Sequence, residues 1–187
     1  MQQIELERVF LVKQLPSDLF QYQSIKMRVG DFYNPNISGA SRVDHLNIRQ
    51  KGDKYEIRKK EGDSDYKKIE HTIYITEEEF ELLMTVATQK HEKKLYLYPI
   101  SDKHTSEIDI YLGKLAGYAR VEVEFKDEEE MGKFIPPEWF GPEITEWNHT
   151  IHKNLGLITF DDLKKRYAEK GVELKQIFDP KYISISK

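Results

Sequence analysis

Charge recurs on one face of strand after strand in this chain, and that alternation limits what it can fold into. Residues 4–13 read as a strand, and a strand sends successive side chains to opposite faces. Glu5 and Glu7 therefore share one face, while Leu6 and Arg8 share the other. Two carboxylates side by side repel and are costly to bury without a cation. The run Arg120-Val121-Glu122-Val123-Glu124-Phe125 repeats the pattern. Glu56, Arg58 and Lys60 fall on one face of another strand, and Glu107 and Asp109 alternate with Ile108 and Ile110. An ordinary small barrel fills its inside with aliphatic groups. Here one face carries charges of both signs, as a wet, polar lumen requires.

Further period-2 runs cover residues 25–33, 43–50, 55–60, 67–75, 93–99, 106–112 and 118–125. A turn at Lys51-Gly52-Asp53-Lys54 joins two of them as a hairpin, and residues 34–39 read as a loop. Thr76 is a good N-cap, and Glu79 completes a capping box for a helix striped with Phe80, Leu83, Met84 and Ala87. A second helix is expected over 159–170, capped by Thr159 with Asp162 at the box position and stopped by Gly171. Residues 135–142 form a proline-bounded corner carrying Trp139 and Phe140, and 182–185 read as a short strand. Trp139 and Trp147 are expected to anchor packing. About eight antiparallel strands with few helices predict a mainly β (α+β) fold in a closed or nearly closed barrel, because closure removes exposed edges.

At 187 residues the chain is most economically one domain with a sizeable core. Its net charge of −4 argues against a broad nucleic-acid patch, though cations can still be concentrated in a pocket. The absence of cysteine excludes a disulfide framework, a thiolate zinc site and a cysteine nucleophile. No apolar run approaches a membrane span and the N-terminus lacks a signal-peptide core, so a soluble cytoplasmic protein is expected. The histidines (45, 71, 91, 104, 149 and 152) form no H-E-x-x-H pattern, and for His149 and His152 a surface or core role is favoured over a metal role. No nucleophile elbow, Walker loop or dinucleotide fingerprint is present. The two E-x-E strands with Asp109 suit a hard divalent cation, Mg²⁺ or Mn²⁺, which prefers carboxylate oxygens. Arg49, Arg58, Lys60, Lys93 and Arg120 on neighbouring strands suit phosphate, Arg by a bidentate grip and Lys as a point charge.

The same residues resemble the CYTH domain, or triphosphate tunnel metalloenzyme, family. Glu5-Leu6-Glu7-Arg8-Val9-Phe10-Leu11-Val12 is similar to that family's opening E-x-E-x-K strand. Asn47-Ile48-Arg49 resembles its R-x-R hairpin, and residues 55–60 the strand that ends in a tunnel lysine. Glu92-Lys93-Lys94 looks like another basic strand, and residues 107–113 with Gly117 resemble W-E-V-D-x-F-x-G followed by G-L. Residues 121–124 resemble A-E-I-E, and 137–145 resemble P-x-W-L-G-x-E-V-T. The likeness spans roughly residues 3–156. It implies an eight-stranded antiparallel tunnel over 1–158, with 159–187 as a helix and tail packed on or capping it. By the same resemblance Glu5, Glu7, Asp109, Glu122 and Glu124 would be ligands of Mg²⁺ or Mn²⁺. Arg49, Lys60 and Lys93 would bind phosphate, with Lys93 also a proton acceptor for the attacking water. Lys93, Glu122 and Glu124 form the expected catalytic set.

The departures are specific. Val9 stands at the motif lysine, Asn47 at the first arginine of R-x-R, and Leu95 and Leu97 where relatives carry arginine. Each lost charged contact is worth about 1.5–3 kcal/mol, unless Lys13, Arg28, Arg42 or Arg58 compensates. The apolar replacements also suit a ligand with an organic part. The expected function is a divergent metal-dependent phosphohydrolase acting on inorganic triphosphate, a nucleoside triphosphate or a related organic phosphate. The alternatives are an impaired domain that binds a nucleotide or polyphosphate, and, lower in rank, a class IV adenylate cyclase. The expected partner is a phosphorylated small molecule, with neither nucleic acid nor membrane, and association into a homodimer is left open.

Overall fold

The computed structural model describes residues 1–32, 45–62, 64–152 and 154–179. Nine strands lie among them: β1 (Gln2–Val12), β2 (Ser24–Asp31), β3 (His45–Lys51), β4 (Lys54–Glu61), β5 (Lys67–Ile75), β6 (Gln89–Pro99), β7 (Thr105–Tyr111), β8 (Ala119–Glu124) and β9 (Phe140–Glu143). The helices are α1 (Glu77–Val86), α2 (Glu128–Lys133), α3 (Asn148–Ile151) and α4 (Phe160–Ala168). The expected loop at 34–39, Arg42 and the expected strand at 182–185 fall outside the described residues.

The strands pair in the order β5-β4-β3-β2-β6-β7-β8-β1, and β5 returns to β1 to close an eight-stranded antiparallel barrel. β9 then pairs with the far end of β1 at Phe10 and Val12. Closure leaves none of the eight barrel strands as a bare edge. Gly52, at φ 61°, takes the left-handed conformation that the β3–β4 hairpin turn needs.

The barrel is inverted relative to a small aliphatic-filled one. Leu6, Phe10 and Val12 of β1 face outward and bury in a cluster with Ile108, Ile110, Val121 and Val123. That cluster is covered by Phe125, Phe134, Trp139, Phe140 and, from the C-terminal stretch, Ile177 and Phe178. The corner at Trp139 thus serves packing, as expected, and it contains β9, which the prolines concealed from a strand reading. On another side α1 sets Phe80 and Met84 against Ile48. Its capping box forms as expected: Thr76 accepts from the Glu79 amide, and Glu79 accepts from the Thr76 amide. Gly30 allows this close approach, since a Cβ there would meet Met84 Sδ at 2.8 Å and the Ala87 Cβ at 2.9 Å.

A third cluster closes one end of the barrel. Val9, Leu11, Tyr111 and Tyr118 from the strand ends pack with Ile144, Ile151 and Leu155, and with Leu163 and Tyr167 of α4. Residues 144–152 and 154–157 cross that end, and α4, with its own Thr159–Asp162 capping box, backs them from behind. The expected helix and the barrel therefore share one core across position 158.

Candidate active site inside the tunnel

Side-chain parity puts the charges inside. Glu5 and Glu7 of β1, Arg49 and Lys51 of β3, Glu56, Arg58 and Lys60 of β4, and Lys68 and Glu70 of β5 all line one cavity of about 400 Å³. Lys93 of β6, Glu107 of β7, and Arg120, Glu122 and Glu124 of β8 complete it. Asp109 lies directly behind, fully buried. The lining thus gathers the expected phosphate-binding residues with four of the five expected metal ligands.

The register explains their company. Glu7 stands directly opposite Glu124 on β8, and Glu122 directly opposite Glu107 on β7. Like charges directly opposite are destabilising, and cations from other strands relieve them. Lys60 Nζ lies 2.6 Å from Glu5 and 3.7 Å from both Glu7 and Glu70. Lys68 pairs with Glu7, Arg58 with Glu70, and Arg49 with Glu56. Lys51 reaches Glu107 at 3.2 Å. At the inner end Lys93 pairs with Asp109. Arg120 donates from Nε and Nη2 to Asp109 at 3.1 Å, lies 2.7 Å from Glu122, and donates from Nη1 to Asn148 Oδ1 at 3.1 Å.

These contacts separate the titrations of otherwise similar carboxyls. Burial pushes Glu5 up to about 7 despite Lys60, with Glu70 and Glu7 adding to the rise. Burial also raises Glu7, but Lys60, Lys68 and Arg120 outweigh it and hold it at about 2. Burial raises Asp109 too, yet Lys93 and Arg120 carry it below its ordinary value. Glu122 is shifted up by burial against the pull of Arg120, and burial with Glu107, Glu5, Glu7 and Glu122 lifts Glu124 to about 7. Lys60 keeps its proton firmly, because Glu7, Glu5 and Glu122 more than offset burial.

Fit to a divalent cation follows from donor chemistry. Asp109 Oδ1 is buried with no hydrogen-bond partner, and Glu124 sits opposite Glu7 with carboxylates around it. Carboxylate oxygens of this kind suit a hard cation. As arranged, lysine and arginine groups stand between the acids, so among the described residues no three acidic or imidazole groups converge as a ready metal cage.

The compensating cations sort clearly. Arg58 is inside the tunnel, directly opposite Asn47. Arg28 is on the outer face, paired with Glu81 and lying over the Phe80 ring, so it does not compensate. Lys13 lies beyond the end of β1 on the surface, and Arg42 is outside the described residues. Val9 is buried in the apolar cluster, and the cation beside its cross-strand partner Glu122 is Arg120.

Several lining residues went unread in the sequence. Lys51, Lys68, His91 and Tyr111 follow from parity, each two residues from another lumen position. Asn148, His152 and Leu155 come from the cap and carry no strand signal. His152, expected in a surface or core role, is half-buried, with Nε2 2.6 Å from the Tyr118 hydroxyl.

A closed antiparallel β tunnel with interleaved acids and bases defines the class of protein. No family model matches the chain. It is 32% identical over 154 residues to the inorganic triphosphatase of Nitrosomonas europaea, across 82% of this chain and 97% of that protein. A crystal structure of an inorganic triphosphatase superposes with a TM-score of 0.59 at 32% identity, covering 82% of this chain and 94% of that one. A candidate adenylate cyclase from Bacillus halodurans shares the fold, with a TM-score of 0.54 at 14% identity over 73% of this chain and 95% of its own. The chain belongs to the CYTH domain, or triphosphate tunnel, family.

Proposed function

We propose that this protein is a hydrolase of phosphoanhydrides whose substrate is inorganic triphosphate, a nucleoside triphosphate or a related organic phosphate. The observation that carries the reading is the density of Lys and Arg inside a dead-ended tunnel that also holds paired acids. The likeness to the Nitrosomonas europaea inorganic triphosphatase supports the reaction type. Arg49, Arg58, Lys60 and Lys68 would exchange their carboxylate partners for phosphate oxygens, with Lys93 and Arg120 at the inner end. Glu5, Glu7, Glu122 and Glu124, with Asp109 behind, would hold Mg²⁺ or Mn²⁺. Such an ion would supply neutralisation of phosphate charge and Lewis-acid assistance to the attacking water. A water oxygen attacks the terminal phosphorus, the bond to the bridging oxygen breaks, the diphosphate end departs with its charge taken up by the surrounding cations, and the proton of the water passes to a phosphate oxygen or to solvent. Lys93 donates to Asp109, which suits a phosphate grip; that geometry lends no support to the proton-acceptor role.

The second reading, a binding module, draws on the apolar surroundings of Val9. Against it, Arg120 stands beside Glu122 and Arg58 opposite Asn47, so cations from other positions serve two of the four altered sites. The test is phosphate release with and without Mg²⁺ or Mn²⁺ from inorganic triphosphate, ATP and GTP. Release that needs the metal and falls at least a hundredfold in Glu122→Gln and Glu124→Gln supports the hydrolase. Tight binding without turnover supports the module, and turnover unchanged in both variants removes the metal assignment.

A further inference from the structure

α4 lies past residues 3–156, in which the family's motifs fall, yet it reaches the tunnel through a buried aromatic cluster. Tyr167 of α4 and Tyr118, which leads into β8, are each 0% exposed. Their hydroxyl oxygens are 3.0 Å apart. Both meet Nε2 of His152, Tyr118 at 2.6 Å and Tyr167 at 3.3 Å. Nδ1 of that ring is enclosed, and burial, with Arg120, His91 and Lys93, keeps the imidazole neutral. Burial likewise keeps both phenols protonated.

Two routes run from this cluster to Arg120. One is hydrogen-bonded. The His152 amide donates to the Asn148 carbonyl at 2.9 Å across the single turn of α3, and Arg166 of α4 donates to the Ile151 carbonyl at 2.7 Å. At the start of that turn, Asn148 Oδ1 accepts from Arg120 Nη1 at 3.1 Å. The other route is stacked. The Tyr118 and Tyr111 ring centroids are 4.9 Å apart, and the Arg120 guanidinium carbon lies 6.0 Å from the Tyr111 centroid, at the limit of a cation–π contact. Asp109 and Glu122, the charged anchors of Arg120, compete with phosphate for the guanidinium. Asn148 is uncharged, so it can keep its hold when a phosphate oxygen replaces a carboxylate.

We propose that Tyr167 and Tyr118 are positioning residues for the phosphate grip of Arg120. α4 fixes α3 through His152, α3 fixes Asn148, and Asn148 holds the guanidinium in one orientation at the inner end of the tunnel. This rests on the hydrolase reading above and adds α4 to its working parts. A guanidinium held this way meets phosphate oxygens without first reorganising, and donors set in advance are what phosphoryl transfer draws on. A charged imidazole beside Arg120 would repel it, and the neutral His152 ring avoids that.

The experiment is a double-mutant cycle on kcat/KM, using whichever of inorganic triphosphate, ATP and GTP is turned over fastest. Its variants are Tyr167→Phe, Tyr118→Phe and Asn148→Ala, compared at a temperature where circular dichroism shows them folded. Phenylalanine keeps each ring in the cluster and removes only the hydroxyl. Each Phe variant should lose about fivefold in the wild-type background, the scale of coupling within one hydrogen-bond network. Neither should lose anything more once Asn148 is alanine. A loss that persists unchanged in Asn148→Ala is a general packing defect and overturns the proposal, as does full activity in the Phe variants. Should one Phe variant fail to fold, the other decides. Calorimetric binding of inorganic triphosphate in EDTA separates this from the hydrolase reading. Without turnover, an affinity that the Phe variants lose only while Asn148 is present keeps the positioning role and removes the hydrolase. An affinity they leave untouched, or no binding at all, removes the positioning role as well.

Discussion

Asp109 gives the sharpest test of the charge ladder. Its side chain is 1% exposed, and one oxygen takes Lys93 and both Arg120 donors. Asp109→Asn keeps the shape and removes the charge, leaving Lys93, 10% exposed, and Arg120, 13% exposed, without their shared anion. Breaking a buried pair in this way costs about 3–5 kcal/mol. The lower end is expected, because Arg120 retains Glu122 at 2.7 Å and Asn148 at 3.1 Å. Against a typical total stability of about 5–15 kcal/mol, that loss is large. At about 2–4 °C per kcal/mol for a chain of this size, the melting point should drop by about 6–12 °C. Urea unfolding in EDTA measures it without any contribution from bound metal. Because Lys93 and Arg120 depress the Asp109 carboxyl below its ordinary 3.8, its stabilisation is fully present above that pH and fades below it. The deficit of the variant should therefore be flat from pH 5 to 8. Lys93→Met combined with Asp109→Leu, which removes cation and anion together, should recover about 2 kcal/mol. A loss under 1 kcal/mol in Asp109→Asn refutes the pairing.

Two further outcomes are expected. Burial raises Asp31 from 3.8 to about 6, so the folded state holds that proton more tightly and stability declines as pH rises through this window; Asp31→Asn should gain on the order of 1–3 kcal/mol at pH 7.5 and nothing at pH 3.5, read from paired denaturation curves, and no gain at pH 7.5 refutes it. Gly30→Ala drives a methyl to within 3.0 Å of Met84, Ala87 and Ile48, which should cost about 1–3 kcal/mol by urea unfolding while β2 itself tolerates alanine; a neutral result means α1 can lift away.

Much of the site was legible because strand parity is a local property. Once Glu5 is assigned to the lumen, Glu7 follows, and the same rule takes Asp109 to Glu107 and Lys60 to Arg58 and Glu56. Mixed charge on those faces already announced a polar interior, and both capping boxes were readable at Thr76 and Thr159. Parity says nothing about which distant side chains meet. Lys60 lies against Glu5 only because β5 closes onto β1 and brings β4 within reach across the lumen. Arg28 looked like a candidate tunnel cation by type, and its register on β2 turned it outward to Glu81.

The alternation of acids, bases and aliphatic groups along each strand was settled by the amino-acid order, since backbone pleating sends neighbours to opposite sides whatever the partner strand. Closure, the shear that chooses each ion pair, and the sealing of one mouth around Ile144, Ile151 and Leu155 were decided in three dimensions. Those features rest on hydrogen bonds and packing between segments distant in the chain, such as the Val9 amide donating to Thr145 Oγ1 at 2.9 Å. Asn148, His152 and Leu155 reach the lumen only once that seal is in place.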